Sequence, residues 1–253
     1  MIAASPLTAH SSAEYAAFAN GFTFRFLHPA DPITRWWLRV AAWCRRVGLI
    51  FDLLNTRFPE GSEVVRIALK PICSVPRMST PAIGALINLG VAQMAPGEVF
   101  VNIGVWNGFT FFSGMVSNPD KACIGVDNFS QFGGPKDAFL SRFKQLKSRD
   151  HRFYDMDYRN YFATVHNEPI GFYLYDGEHS YQSQFDALRL AEPFFGPRCV
   201  VMVDDTNAPE PRQATLDFMQ QSPNRYEIVL DASTRENQHP TWWNGVILFR
   251  RVG

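Results

Sequence analysis

Val99-Phe100-Val101-Asn102-Ile103-Gly104-Val105-Trp106-Asn107-Gly108-Phe109-Thr110 is the stretch on which the fold turns. Its first five residues are a short, mostly apolar run, the length of a strand rather than of a core helix. Gly104 and Gly108 then straddle a predicted strand-to-helix turn, where a missing Cβ lets the backbone approach a ligand closely. The spacing is G-x-x-x-G, not the G-x-G-x-x-G that seats a dinucleotide pyrophosphate, which weighs against a nicotinamide or flavin site. Taken alone, the motif is equally an ordinary tight turn.

The same texture recurs downstream. Ala122 to Val126 reads as a second strand ending at Asp127, and His151 to Tyr154 as a third. Ile170 to Tyr175 is a fourth, ending at Asp176, and Cys199 to Val203 a fifth, ending at Asp204 and Asp205. Tyr226 to Leu230 and Gly245 to Arg250 complete the set. The segments between the first five suit crossover helices, for example Tyr181 to Phe195. Short apolar runs alternating with helical stretches predict a parallel sheet covered on both faces. In such sheets ligands bind beyond the carboxyl ends of the strands, near the switch point. Here acids recur at those ends.

Upstream, Met1 to Ser12 is small and polar and reads as a loose terminus. Tyr15 to Pro81 is helix-like and aromatic, broken by Pro32, Pro59, Pro71 and Pro76. Pro81 to Gln93 reads as a helix with Thr80 as its N-cap. We therefore expect residues 1–80 to be a helical extension, serving as a lid or dimer surface, and residues 81–253 to be the ligand-binding domain. Phe22, Phe24, Phe26, Trp36, Trp37 and Trp43 are read first as core aromatics. Ile33 to Leu54 is the most apolar stretch, but Arg35, Arg39, Arg45, Arg46 and Asp52 would be costly in a bilayer core. It is predicted to be an amphipathic helix at a surface or interface. Trp242 and Trp243 either border a pocket or pack a strand edge.

Composition narrows the function. Lys+Arg and Asp+Glu both number 24 in 253 residues, so the formal charge is zero. That balance disfavours a general polyanion binder. Cys44, Cys73, Cys123 and Cys199 form no C-x-x-C pair and have no flanking histidine cluster, so neither structural zinc nor a disulfide framework is expected. With no secretory signal in view, a reduced, cytoplasmic protein is expected. We expect a small-molecule acceptor as partner, with no nucleic acid and no membrane. The apolar extension is compatible with a homodimer.

Three clusters carry candidate chemistry. Asp127, at the end of the second strand, is placed to accept two hydrogen bonds from ribose hydroxyls; an N-cap is the alternative. Asp176, Asp204 and Asp205 converge at one mouth if the fourth and fifth strands are neighbours. Such a group repels itself unless a cation is present, and hard oxygen ligands suit Mg2+; separate solvated caps are the alternative. His179 suits a general base near neutral pH, and Glu178 competes for the role.

At these residues the chain resembles the class I S-adenosylmethionine-dependent methyltransferases, and within them the O-methyltransferase-like group called methyltransferase family 24. The resemblance covers roughly Pro81 to Arg250 and rests on GVDNFSQFGGPK (Gly125 to Lys136), YDGEHSY (Tyr175 to Tyr181) and VMVDDT (Val201 to Thr206), in that order. It implies a Rossmann-like α/β fold, with a seven-stranded, mostly parallel sheet and helices on both faces. It implies that Gly104, Trp106, Gly108 and Thr110 line the methionine part of S-adenosylmethionine. Asp127, with Asn128 beside it, would hold the ribose, Asp157 would reach the adenine amino group, and Asp176 would meet the cofactor amine. In metal-dependent relatives the positions of Asp176, Asp204 and Asp205 bind Mg2+. The base falls at the position of His179 in catechol-type enzymes and of Glu178 in sugar-type enzymes. Asn102 departs from the family's usual Glu or Asp, and His179 from its common lysine. The activity implied is O-methylation of a sugar, phenol or natural product. A metal-dependent glycosyltransferase and a non-catalytic binding protein stay open as alternatives.

Overall fold

The computed structural model describes residues 12–252. Helix α1 (Ser12–Asn20) leads to β1 (Thr23–Phe24), α2 (Arg35–Arg46), α3 (Phe51–Asn55), β2 (Thr56–Arg57) and α4 (Glu63–Leu69). Then come α5 (Pro81–Ala92), β3 (Val99–Ile103), α6 (Phe109–Met115), β4 (Ala122–Asp127), α7 (Lys136–Leu146) and β5 (His151–Asp155). The chain ends with α8 (Tyr158–Thr164), β6 (Ile170–Tyr175), α9 (Tyr181–Ala191), β7 (Phe195–Asp204), α10 (Pro209–Gln221), β8 (Arg225–Ala232) and β9 (Val246–Val252).

Strands β3 to β9 form a seven-stranded sheet in the order β5-β4-β3-β6-β7-β9-β8. All pairings are parallel except those of β9, which runs antiparallel to β7 and β8. This is the mostly parallel α/β sheet expected. Every residue of β3 and β6 is buried, as central strands covered on both faces require. Alternate side chains serve opposite layers. Phe100, Phe172 and Leu174 join the core under α5 and α6, while Val101, Tyr173 and Tyr175 join the core under α8 and α9. Chain order reverses direction at the β3–β6 pair, which makes that crevice the switch point.

Residues 12–80 share a core with the sheet. Tyr15 donates its hydroxyl to the Leu86 carbonyl (2.8 Å). Phe22 and Phe24 pack edge-on against Trp242, with centroids 5.6 and 5.7 Å apart. Buried Asn55 accepts from the amides of Phe26 and Leu27 and donates to the Leu27 carbonyl. Because Trp242 is 6% exposed and closes this layer, Trp242→Ala is expected to cost about 3–5 kcal/mol of stability. Urea unfolding would check it, and a loss below about 1 kcal/mol would show that the layer contributes little.

Several local expectations are corrected. Ile33 to Leu54 is not one helix: α2 stops before Gly48, which takes a left-handed φ of 74°, and α3 restarts at Phe51. Thr80 precedes α5, but its hydroxyl donates to the Thr241 carbonyl (2.7 Å) and caps nothing. Helix α9 ends at Ala191, two residues before Pro193, and β7 starts four residues earlier than its apolar run. The reading of Met1 to Ser12 as a loose end falls outside the described residues up to position 11, and Ser12 opens α1. No helix among the described residues is long and apolar enough to cross a membrane.

Candidate active site

A cavity of about 360 Å3 opens beyond the carboxyl ends of β3, β4, β6 and β7. The strand ends are level: Ile103 pairs with both Val126 and Tyr175, and Tyr175 with Val203. Asp127, Asp176 and Asp204, the residues immediately after these register positions, therefore surround one opening.

The floor is the turn after β3. Gly104 has φ +80°, and a Cβ built on it would lie 1.9 Å from the Asp176 carbonyl oxygen. The Gly104 amide donates to the Val126 carbonyl and the Asp176 amide to the Ile103 carbonyl, both at 2.9 Å. Only glycine fits between these backbones. Asp127 locks the turn: its Oδ2 accepts the amides of Val105 (2.8 Å) and Trp106 (2.9 Å), and its Oδ1 accepts the amide of Phe129 (2.7 Å). A carboxylate offers about four lone-pair sites, so roughly one is left for a ligand hydroxyl. Asn102, fully buried, donates its amide to the carbonyls of Ile103 (3.2 Å) and Gly104 (3.0 Å). A carboxylate at that position could not donate, so the departure from the family's Glu or Asp matches a clamp on the turn.

Backbone strain gathers here. Of seven non-glycine residues with positive φ among those described, six line the cavity: Trp106, Phe129, Phe132, Asp205, Gln238 and Trp243. Such conformations cost about 1–3 kcal/mol each and cluster at functional sites.

On the wall toward β7, His179 Nε2 lies 2.6 Å from Asp205 Oδ2. The other Asp205 oxygen accepts from the Asn244 side-chain amide. Asp205 therefore requires the Nε2–H form, and His179 Nδ1, which is buried without a partner, keeps its lone pair. The Glu178 carboxylate is engaged elsewhere: its Oε2 accepts from the Ser183 hydroxyl (2.7 Å) at the start of α9. Asp204 is 3% exposed and its Oδ1 has no partner. Burial, and then the adjacent Asp205 charge, hold the Asp204 carboxyl well above the usual carboxylate range. Asp176 is raised in the same way by burial, then by Asp204, Asp205 and Asp127.

Of the residues expected at the site, Gly104, Trp106, Asp127, Asn128, Asp157, Asp176, Glu178, His179, Asp204 and Asp205 all line the cavity. Gly108 and Thr110 do not. Gly108 has φ +102° and packs against the Phe112 ring, and Thr110 is buried in α6. Asp157 caps α8, accepting the Arg159 amide (2.8 Å). Trp243 lines the cavity while Trp242 does not. Met78, Met156, Tyr158, Arg159, Gln238 and Asn244 line the wall without having been expected. Asn244 carries no sequence signal, since it is 39 residues from its partner Asp205.

The arrangement shows no assembled Mg2+ site at Asp176, Asp204 and Asp205. Among the described residues no three His, Cys, Asp or Glu side chains are grouped as a metal site, and Asp205 is committed to His179 and Asn244.

A locked glycine turn under a strand-end acid, at the switch point of a seven-stranded sheet with one antiparallel strand, defines the class I methyltransferase fold. Residues 101–206 match the family model described as "Methyltransferase domain". No curated protein sequence matches the chain significantly. Among solved structures, a Podospora anserina methyltransferase bound to SAH is 13% identical with a TM-score of 0.54, covering 90% of this chain and 100% of its own. A Bacillus cereus O-methyltransferase in complex with SAH is 14% identical with a TM-score of 0.51, covering 84% and 97%. A calicheamicin methyltransferase is 14% identical with a TM-score of 0.54, covering 87% and 95%. At these identities the likeness establishes the fold.

Proposed function

We propose that the protein is an S-adenosylmethionine-dependent O-methyltransferase acting on a small hydroxylated acceptor. The observation that carries this is the Gly104 turn, locked by Asp127 and pressed against Asp176 at the mouth of the cavity. The O-methyltransferase named among the structural neighbours supports the choice of acceptor atom.

Asp127 would hold a ribose hydroxyl, Asp157 the adenine amino group, and Asp176 with the Gly104–Trp106 backbone the methionine end. The cavity wall carries six acids and only Arg159 and His179 as bases, a balance that suits a cationic sulfonium and amine. When bound, S-adenosylmethionine supplies an electrophilic methyl group. The protein's share is positioning and proton removal. His179, on the cavity wall, would take the acceptor proton, Asp205 would balance the imidazolium that results, and Asn244 holds Asp205 in place. Glu178 is left out because its carboxylate faces Ser183. Phe129 and Trp243, both part-buried, provide an apolar wall. The four cysteines are free and buried, in keeping with a reducing cytoplasm.

The test is calorimetric titration with S-adenosylmethionine and S-adenosylhomocysteine, with and without Mg2+. Binding is expected in both conditions with equal affinity. Asp127→Ala, which leaves three turn amides without their acceptor, is expected to weaken it at least about fiftyfold. Absence of binding in a protein shown to be folded by circular dichroism would overturn the proposal.

A further inference from the structure

We infer that helix α2 is a docking element for an anionic lipid bilayer. Its inner face is set by Trp37 and Cys44: Cys44 is buried, and the Trp37 ring packs 5.2 Å from that of Phe51. Val40 and Ala41 are part-buried beside them, and the opposite side is exposed at Arg35, Trp36, Leu38, Arg39, Trp43 and Arg46. Arg35, Arg39 and Arg46 are exposed, and the helix contains no acid. Trp36 and Trp43, seven residues apart and therefore on one flank, are 60% and 59% exposed. Leu38, on the opposite flank, is 60% exposed. The patch continues past the helix end through Val47 and Leu49, both exposed.

Charge and shape select the occupant. A second copy docked face to face would set these arginines against one another, with no acid on the helix to offset them. A nucleic acid would use the arginines and tryptophans but leave Leu38, Val47 and Leu49 idle. An anionic bilayer uses all of them: arginines at the headgroup phosphates, tryptophans at the interface and aliphatic groups at the acyl boundary. This inference runs against the expectation of no membrane partner.

The segment that leads into the helix is tied to the loop at the cavity rim. The Arg235 amide donates to the Pro29 carbonyl (2.8 Å), the Ile33 amide to Glu236 Oε2 (3.3 Å), and His239 Nε2 lies 3.2 Å from the Asp31 carbonyl. Those three partners flank Gln238 on the cavity rim. Docking through α2 therefore brings the rim loop beside the membrane.

The experiment is co-sedimentation of the full chain with vesicles of phosphatidylcholine alone and with phosphatidylserine added. Sedimentation with the anionic vesicles is expected, falling as salt rises. Each surface arginine contributes roughly fivefold, so Arg39→Glu with Arg46→Glu is expected to reduce binding at least about hundredfold. Trp36→Ala with Trp43→Ala is expected to reduce it about tenfold or more. Both double variants keep their S-adenosylmethionine affinity, which separates this inference from the proposed activity. No sedimentation, or sedimentation unchanged in both variants, would overturn it. So would a wild-type dimer in analytical ultracentrifugation that the tryptophan variant dissolves, or retention of an RNA oligomer but not vesicles.

Discussion

Replacing Gly104 by alanine is expected to abolish binding of S-adenosylmethionine, lowering affinity more than about a hundredfold, and to cost about 2–4 kcal/mol of stability. The added methyl would sit 1.9 Å from the Asp176 carbonyl oxygen and 2.6 Å from its carbon. Both are backbone atoms, and both segments are held by hydrogen bonds at 2.9 Å, so no side chain can swing aside. The clash would open the β3–β6 crevice at the floor of the cavity where the cofactor is proposed to bind. The φ of +80° adds strain of its own. Gly61 separates the two effects: it shares that φ but has nothing within 4 Å. Gly61→Ala is expected to cost only about 1–2 kcal/mol and to leave affinity unchanged. Titration calorimetry and urea unfolding of both variants read the comparison. Equal behaviour of the two would mean that the turn tolerates a side chain and that the cavity is misread.

The second large effect has opposite signs for stability and for function. Asp204→Asn is expected to stabilise the fold at pH 8 by about 1–3 kcal/mol while weakening S-adenosylmethionine binding. Asp204 is buried with one oxygen unpartnered, and burial together with Asp205 raises its folded pKa. A carboxyl whose folded pKa is raised binds more protons folded than unfolded. Its stabilising contribution is therefore complete below the unfolded value, about 3.9, and is lost as pH rises from there through the folded pKa. Asparagine does not titrate, so the variant's advantage grows above about pH 4 and vanishes below it. Melting temperatures at pH 4 and pH 8 test this, with a rise of roughly 2–10 °C expected at pH 8 alone. A variant less stable than the parent at pH 8 would show that the carboxylate is paired in solution.

The site was legible where local patterns carried it. Asp127, Asp176 and Asp204 each follow a short apolar run, and a parallel sheet brings such positions to one edge. Gly108 and Thr110 were misplaced because a motif read along the chain says nothing about which way each residue turns; Gly108 serves the Phe112 ring and Thr110 the interior of α6. Asp127 is expected to meet a ligand, and the structure adds that three backbone amides also use its acceptor positions. Asx-type capture of nearby amides leaves no trace in composition or periodicity. Thr80 shows the same limit: it stands where an N-cap belongs, yet its hydroxyl meets Thr241, 161 residues away.

By itself, the order of apolar runs, glycines and strand-end acids determined the α/β class, the strand positions to within a few residues, and the edge at which a ligand binds. These depend on side-chain periodicity and on strand direction, which are properties of short segments. Tertiary structure alone decided that His179 and not Glu178 faces a carboxylate, that Asn244 holds Asp205, that Trp242 belongs to the core while Trp243 faces the cavity, and which flank of α2 carries its exposed tryptophans. Those outcomes depend on the register of seven strands and on contacts across tens to hundreds of residues. Each is set by how separate segments pack, a quantity that no local pattern in the chain encodes.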